Sequence, residues 1–143
     1  MSKYANGVYQ LLNPAKYVGK GAPHYRSSWE HTVMRMLDNN PSILQWASEA
    51  IHVNYRNPFT NRNTIYVPDF FVTYVDANSK QHAEIWEIKP TKETTLEAAG
   101  NSKRAQAAAI LNMCKWQACQ AYCKANGLVF KILTEKELFG TGK

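Results

Sequence analysis

The sequence has no apolar run approaching the ~20 residues that a membrane-spanning helix requires, so no membrane partner is expected. Met1 to Leu12 is polar and lacks the apolar core of a secretory signal, which points to a cytoplasmic protein. Only three cysteines occur, Cys114, Cys119 and Cys123, all in one stretch of helical character. Their odd number argues against a disulfide framework, and their spacing matches no CxxC-type zinc pattern. On a helix Cys119 and Cys123 share a face, as expected of reduced thiols in a core. His24, His31, His52 and His82 show no ligand spacing, and none is assigned to a metal. There is no internal repeat and no low-complexity segment. Acidic residues are few, 11 against 17 Lys and Arg, which leaves a net charge of +6.

What is present suits one folded unit. The 143 residues, 45% of them hydrophobic, suffice for a single buried core. A basic excess on a small domain favours polyanionic partners, because Lys and Arg displace counterions from phosphates.

Residues 1–26 are expected to form an extended basic arm, with Lys3, Lys16, Lys20 and Arg26, draped over the domain or over a ligand. Residues 27–143 are expected to form the domain proper. Ser27 and Glu30 have the S-x-x-E spacing of a helix capping box. Trp29, Val33, Met36 and Leu37 then lie on one helical face until Asn39-Asn40-Pro41. A short second helix is expected over 42–48, and a strand over 50–55. Residues 64–75 and 81–89 are rich in β-branched and aromatic residues and flank the polar turn Asp76-Ala77-Asn78-Ser79-Lys80, the pattern of a β-hairpin. A polar loop, a long helix over 103–124 stopped by Asn126-Gly127, a strand over 128–133 and a helical turn over 135–139 complete the chain. The fold class is therefore mixed α/β, with a central sheet flanked by helices.

The hairpin carries the chemistry. Centring its turn on Asn78 places Asp69 opposite Glu87, and Val67 opposite Lys89. Side chains alternate along a strand. Asp69 therefore shares a face with Phe71, Thr73 and Val75, while Glu87 and Lys89 share that face with Ala83 and Ile85. Glu84 points the other way. Taken singly, Asp69 could be a turn residue after Pro68, and Glu87 and Lys89 an exposed ion pair of little worth. Together they form two carboxylates facing each other among apolar neighbours, an arrangement penalised by repulsion and by desolvation. A divalent cation removes that penalty, and hard oxygen donors suit magnesium or manganese. Such an ion acidifies water and polarises a phosphate oxygen, and an adjacent lysine balances transition-state charge. One-ion and two-ion schemes fit equally well.

Pro68-Asp69 followed by Glu87-Ile88-Lys89 spells a PD-(D/E)xK signature. The chain resembles that nuclease superfamily. Within it, the chain is similar to the head-completion nucleases of T4-like tailed phages and to TnsA N-terminal nuclease domains. The similar segments include Tyr25-Arg26-Ser27-Ser28-Trp29-Glu30, Trp46-Ala47-Ser48-Glu49-Ala50, Tyr55-Arg56-Asn57-Pro58, Tyr66-Val67-Pro68-Asp69-Phe70 and Glu87-Ile88-Lys89-Pro90. The resemblance implies a restriction-endonuclease-like fold, magnesium-dependent DNA cleavage with manganese as a substitute, and a cation held by Asp69, Glu87, Ile88 and Glu30. In Glu30 the ligand role competes with the cap role, and both remain open. The setting it implies is the cytoplasm of an infected bacterium or the virion, with DNA and phage head or neck proteins as partners and branched or flap DNA as one class of substrate. The competing expectation is a DNA-binding head or neck component that keeps the fold without catalysis. RNA cleavage is a third.

Candidate DNA contacts are Lys20, His24, Tyr25, Arg26, Arg56, Arg62, Lys92, Lys103, Arg104 and Lys115, with Tyr25 beside Arg26 suited to stacking plus a phosphate contact. Some relatives carry Q-x-x-x-Y on the helix after the lysine. Gln117 and Tyr122 miss that spacing, which leaves Gln117 either lining the site or an ordinary helix residue. The oligomeric state is not readable from the sequence.

Overall fold

A computed structural model describes residues 6–139. The expected arm residue Lys3 and the ends of both expected segments, residues 1–5 and 140–143, lie outside the described residues. No helix among the described residues is long and apolar enough to cross a membrane.

The chain opens with β1 (Gly7–Val8), which pairs antiparallel with β2 (His24–Tyr25). The segment between them is pinned to the domain. Tyr9 is buried in the core, and its hydroxyl donates to Asp38 Oδ2 at 2.8 Å. The Leu12 and Asn13 amides donate to the same carboxylate at 2.8 and 3.0 Å. Asp38 is fully buried. Burial pushes its pKa up, but these donors outweigh that and hold it below the usual range. Helix α1 (Ser28–Asn39) follows, with Ser27 Oγ accepting from the Glu30 amide at 3.1 Å, as an N-cap does.

The short helix expected after Pro41 is instead a strand, β3 (Ile43–Ser48), paired antiparallel with β6 (Phe70–Val75). The register shifts between Ile43 and Gln45, so that Leu44 is an extra residue in a β-bulge. The bulge brings Ile43 and Trp46, three apart, into the same buried cluster, where a regular strand would set them on opposite faces. That spacing imitates a helix. β4 (Val53–Asn57) and β5 (Arg62–Tyr66) form a separate hairpin. The single strand expected from 64 to 75 is thus two, β5 and β6, divided at Val67-Pro68-Asp69 where proline removes a ladder donor.

β6 pairs with β7 (Gln81–Ile88) in the expected register, from Val75 opposite Gln81 to Phe70 opposite Trp86. The turn closes where Asp76 N donates to Lys80 O at 2.9 Å, with Ser79 at φ 62. After β7, the region expected to be plain loop holds a 3-10 turn (Thr91–Glu93) and the short α2 (Leu96–Ala99). The long α3 (Lys103–Ala125) returns the chain to β8 (Val129–Leu133), parallel to β7, and α4 (Glu135–Phe139) follows. A parallel neighbour needs such a crossover. The central sheet runs β3-β6-β7-β8 and is mixed.

Alternation along the sheet divides the core. One face, with Trp46, Phe70, Val72, Trp86 and Ile88, packs with Val33, Met34 and Leu37 of α1. The other, with Ile85, packs with Trp116, Cys119 and Cys123 of α3 and with Val53, Tyr55 and Tyr66 of the β4–β5 hairpin. The three cysteines are free; Cys119 and Cys123 are buried, and burial pushes both thiols up, as expected of core residues.

Candidate active site

Asp69 stands where β6 begins, one residue before the last paired position of the hairpin. Its Oδ2 accepts the Ile88 amide at 2.8 Å, and its carbonyl accepts the Glu49 amide at 2.9 Å. Both bonds fix the strand break after Pro68. Ile88, expected as a cation ligand, is engaged with Asp69 through its N–H.

Glu87 is 5% exposed and lies on the α3 side of the sheet. Its Oε1 accepts the Tyr66 hydroxyl at 2.6 Å, and its Oε2 lies 3.8 Å from Lys89 Nζ. The Lys89 amide donates to Leu133 O at 3.0 Å, which ties this end of β7 to β8. Glu84 points to the other face, as parity requires. There its buried carboxylate receives Tyr74 OH at 2.7 Å and Trp86 Nε1 at 2.8 Å, and Lys131 Nζ lies at 3.1 Å. Burial raises its pKa, but these partners bring it below the usual range. Glu84 is a saturated structural carboxylate.

The acids near Asp69 behave oppositely. Burial, then the charges of Glu87 and Glu30, hold Asp69 well above the ordinary carboxylate range, against the pull of the Ile88 amide and Lys89. Burial also raises Glu87, although Tyr66, Lys89 and Lys115 oppose it. Glu30 is raised by burial and by Glu49, with the Arg26 amide and Lys89 acting the other way. Three carboxyl groups thus share a neighbourhood in which burial and mutual repulsion outweigh the charges of Lys89, Lys115 and Arg26. This is the electrostatic state that a divalent cation relieves, and the oxygen donors are hard ones, so the residues fit such an ion. Among the described residues no three His, Cys, Asp or Glu side chains form a closed donor set. Magnesium is served by one or two carboxylates with several waters rather than by an all-protein cage.

Glu30 does not close the reciprocal capping box. Its Oε1 accepts from the Arg26 amide at 2.9 Å, one residue before the cap, and its charge still acts on Asp69. The bond to the Arg26 amide and the effect of the Glu30 charge on Asp69 therefore coexist, while the capping-box bond to the Ser27 amide is not made.

Two residues at the site come from elsewhere in the chain. Tyr66, not singled out by the sequence pattern, is 5% exposed, and burial followed by Glu87's charge pushes its hydroxyl far up. The signal available was the inward end of an otherwise exposed strand, three residues before Asp69. Lys115, from α3, lies over the Tyr66 ring with Nζ 5.8 Å from its centroid. Burial, then Lys89's charge, pushes its amine down, while Glu87 acts the other way.

The remaining expected contacts scatter. Lys20, His24, Arg56, Arg62, Lys92, Lys103 and Arg104 are exposed. Arg26 is ion-paired with Glu49. Tyr25 packs edge-on against His31, with ring centroids 4.5 Å apart, so its ring is engaged within the protein. Gln117 is exposed on α3, away from the buried Trp116 and Cys119. A cavity of about 510 Å3 opens among Lys92, Glu93, Ser102 and Arg104, and none of Asp69, Glu87 or Lys89 lines it.

Residues 40–135 match the family described as TnsA-like endonuclease N terminal. That segment holds Asp69, Glu87 and Lys89. The chain belongs to this family. Its mixed sheet with flanking helices is the restriction-endonuclease-like fold of TnsA-like nuclease domains. The chain is also 31% identical, over 149 aligned positions, to the head completion nuclease of Enterobacteria phage T4, an alignment covering 96% of this chain and 95% of that protein. Glu30 and Arg26 lie outside the TnsA-like match but within the span of a near full-length alignment to the phage nuclease.

Proposed function

We propose that this TnsA-like family member is a divalent-metal-dependent DNA endonuclease, phage-encoded, that acts in head completion or maturation of packaged DNA. The convergence of Asp69, Glu87 and Lys89 at one end of one hairpin carries this reading, since the acids are held above their usual pKa and the lysine lies beside them. The near full-length similarity to a head completion nuclease supports the setting. In that setting the protein would act in the infected cell's cytoplasm or in the virion, with phage head or neck proteins as partners.

Asp69 and Glu87 would hold magnesium or manganese, with Glu30 adding negative charge. Bound there, the ion supplies Lewis-acid activation of water and of a phosphate oxygen. The protein's own groups do the rest. The Ile88 amide aims the Asp69 carboxylate, and Tyr66 fixes one oxygen of Glu87. Lys89, in contact with Glu87, offers an ammonium to charge developing on the phosphate. Lys115 adds a second cation close by, while Arg56, Arg62, Lys103 and Arg104 supply exposed charge for the backbone of DNA.

The deciding experiment incubates supercoiled plasmid, branched DNA and RNA with the protein in magnesium, manganese or EDTA, beside Asp69→Ala. DNA nicking that needs the metal and vanishes in the variant is expected. Binding without cleavage in any metal would instead identify a DNA-binding component that retains the nuclease fold, and cleavage confined to RNA would change the substrate.

A further inference from the structure

The β4–β5 hairpin stands outside the central sheet and ends in a tip, Pro58-Phe59-Thr60, whose aromatic residue is largely exposed. Phe59 is 58% exposed. An exposed tip of this kind is ordinarily loose, yet this one is tied. Asn57 Oδ1 accepts from the Phe59 amide at 2.8 Å and from the Thr60 amide at 3.3 Å. Asn61 N donates to Asn57 O at 2.8 Å, and Asn61 takes a left-handed φ of 57. Arg56 Nε donates to Asn61 Oδ1 at 2.9 Å. The strands below are paired at five positions, from Asn57 opposite Arg62 to Val53 opposite Tyr66. The ordering of the tip is therefore met in the free protein and not at the moment of binding.

Charge around the tip has one sign. Arg56 and Arg62 flank it and are exposed, and residues 50–68 contain no Asp or Glu. The same strand reaches the carboxylate cluster at its other end. β5 starts beside the tip at Arg62 and finishes at Tyr66, whose hydroxyl binds Glu87. Four residue steps at about 3.3 Å each put roughly 13 Å between those ends.

We propose that the β4–β5 hairpin is a DNA wedge: Phe59 stacks on a base at a position where the duplex is interrupted, Arg56 and Arg62 take the adjoining phosphates, and the strand sets the distance from that point to the cleaved bond. The preferred substrate class is therefore DNA with unpaired or branched structure. Apolar side chains inserted at base steps, with basic residues on the flanking backbone, are a general means of holding unstacked DNA, and a continuous duplex offers no open base face without the cost of unstacking. The proposal rests on the nuclease reading above.

The test compares wild-type protein, Phe59→Ala and Phe59→Trp on a flap or junction and on a matched continuous duplex, with 2-aminopurine at the branch. Wild type and Phe59→Trp are expected to favour the branched substrate and to change 2-aminopurine fluorescence on binding. Phe59→Ala is expected to lose the fluorescence change and to lower the branched-over-duplex cleavage ratio about tenfold, the size of one base–aromatic stack. A ratio and a fluorescence change unaltered in Phe59→Ala would overturn the wedge while leaving the nuclease standing, and would point to a protein partner for the exposed ring. Wild-type protein that cleaves neither substrate would overturn both.

Discussion

The Tyr66 hydroxyl donates to Glu87 Oε1 at 2.6 Å across two different sheets, one strand belonging to the β4–β5 hairpin and the other to the central sheet. The bond leaves Oε2 as the oxygen nearer Lys89. It also favours the ionised carboxylate, because an O–H donor stabilises negative charge. Removing the hydroxyl in Tyr66→Phe preserves the ring and its place in the core. Glu87 should then be harder to ionise and free to rotate. The expected result is a several-fold higher metal concentration for half-maximal cleavage, with stability lowered by about 1 kcal/mol, the usual worth of one hydrogen bond. Calorimetric titration of magnesium or manganese into the protein, without DNA, checks the affinity independently of turnover. An unchanged metal affinity would show that Tyr66 only fills space.

The raised pKa of Asp69 makes a statement about stability with a definite sign. A carboxyl whose folded pKa exceeds its unfolded value binds more protons folded than unfolded, so stability falls as pH rises from the unfolded pKa, about 4, through the higher folded one. Glu87 and Glu30 shift the same way. At neutral pH, without metal, the cluster therefore costs stability. Asp69→Asn should raise the thermal midpoint in EDTA by roughly 3 °C or more, and the gain should shrink toward pH 4. Magnesium should stabilise wild type but not the variant. Asp69→Asn less stable than wild type in EDTA at neutral pH would show that the carboxylate is compensated by the protein alone. A stability gain with loss of cleavage is the expected signature of a site that sacrifices stability for function.

Glu84 supplies the control, three positions before Glu87 and on the opposite face of β7. Its pKa is depressed by Trp86, Tyr74 and Lys131 against the effect of burial. The linkage reverses: its contribution is present above the unfolded value and is lost as pH falls through the lower folded one. Glu84→Ala strands Tyr74, Trp86 and Lys131 around an empty position and should destabilise by about 3 kcal/mol. The protein that remains folded should still cut DNA in the presence of metal. Denaturant unfolding beside a plasmid assay separates the two effects. Loss of cleavage in a well-folded Glu84 variant would mean that parity does not divide structural from catalytic acids in this strand.

The central hairpin was legible because its polar turn and apolar alternation fix the register, and register decides which acids meet. Asp69, Glu87 and Glu84 were placed by that rule alone. The strand Ile43–Ser48 was not legible, because a bulged residue, Leu44, converts the spacing of buried positions from two to three. The break between β5 and β6 was available from Pro68 but was hidden by a continuous β-branched and aromatic stretch. Tyr66 was illegible for a different reason. Its role depends on a tertiary approach between two sheets, and no local period encodes that. Tyr25 and Arg26 read from sequence as candidate DNA contacts, and no local pattern shows that each also has a partner within the protein. Their partners, His31 and Glu49, lie six and 23 residues further along the chain and are found only in the folded protein.

Glu30 carries the last open choice, and its geometry supplies a clean separation. Oε1 holds the Arg26 amide, a bond that a glutamine side-chain oxygen can also accept, whereas the electrostatic action on Asp69 requires a carboxylate. Glu30→Gln should therefore fold with nearly wild-type stability, while Glu30→Ala should lose about 1 kcal/mol as the helix entry is freed. If the charge contributes to holding the cation, both variants should show weaker binding of magnesium or manganese by direct titration, and Glu30→Gln should recover cleavage as the metal concentration is raised. Removing a negative neighbour also lets Asp69 ionise more readily, so the apo form of Glu30→Gln should lose less stability than wild type between pH 4 and neutrality. Wild-type metal affinity in Glu30→Gln, together with a stability loss confined to Glu30→Ala, would assign the residue to the helix entry alone and leave Asp69 and Glu87 as the acids of the site.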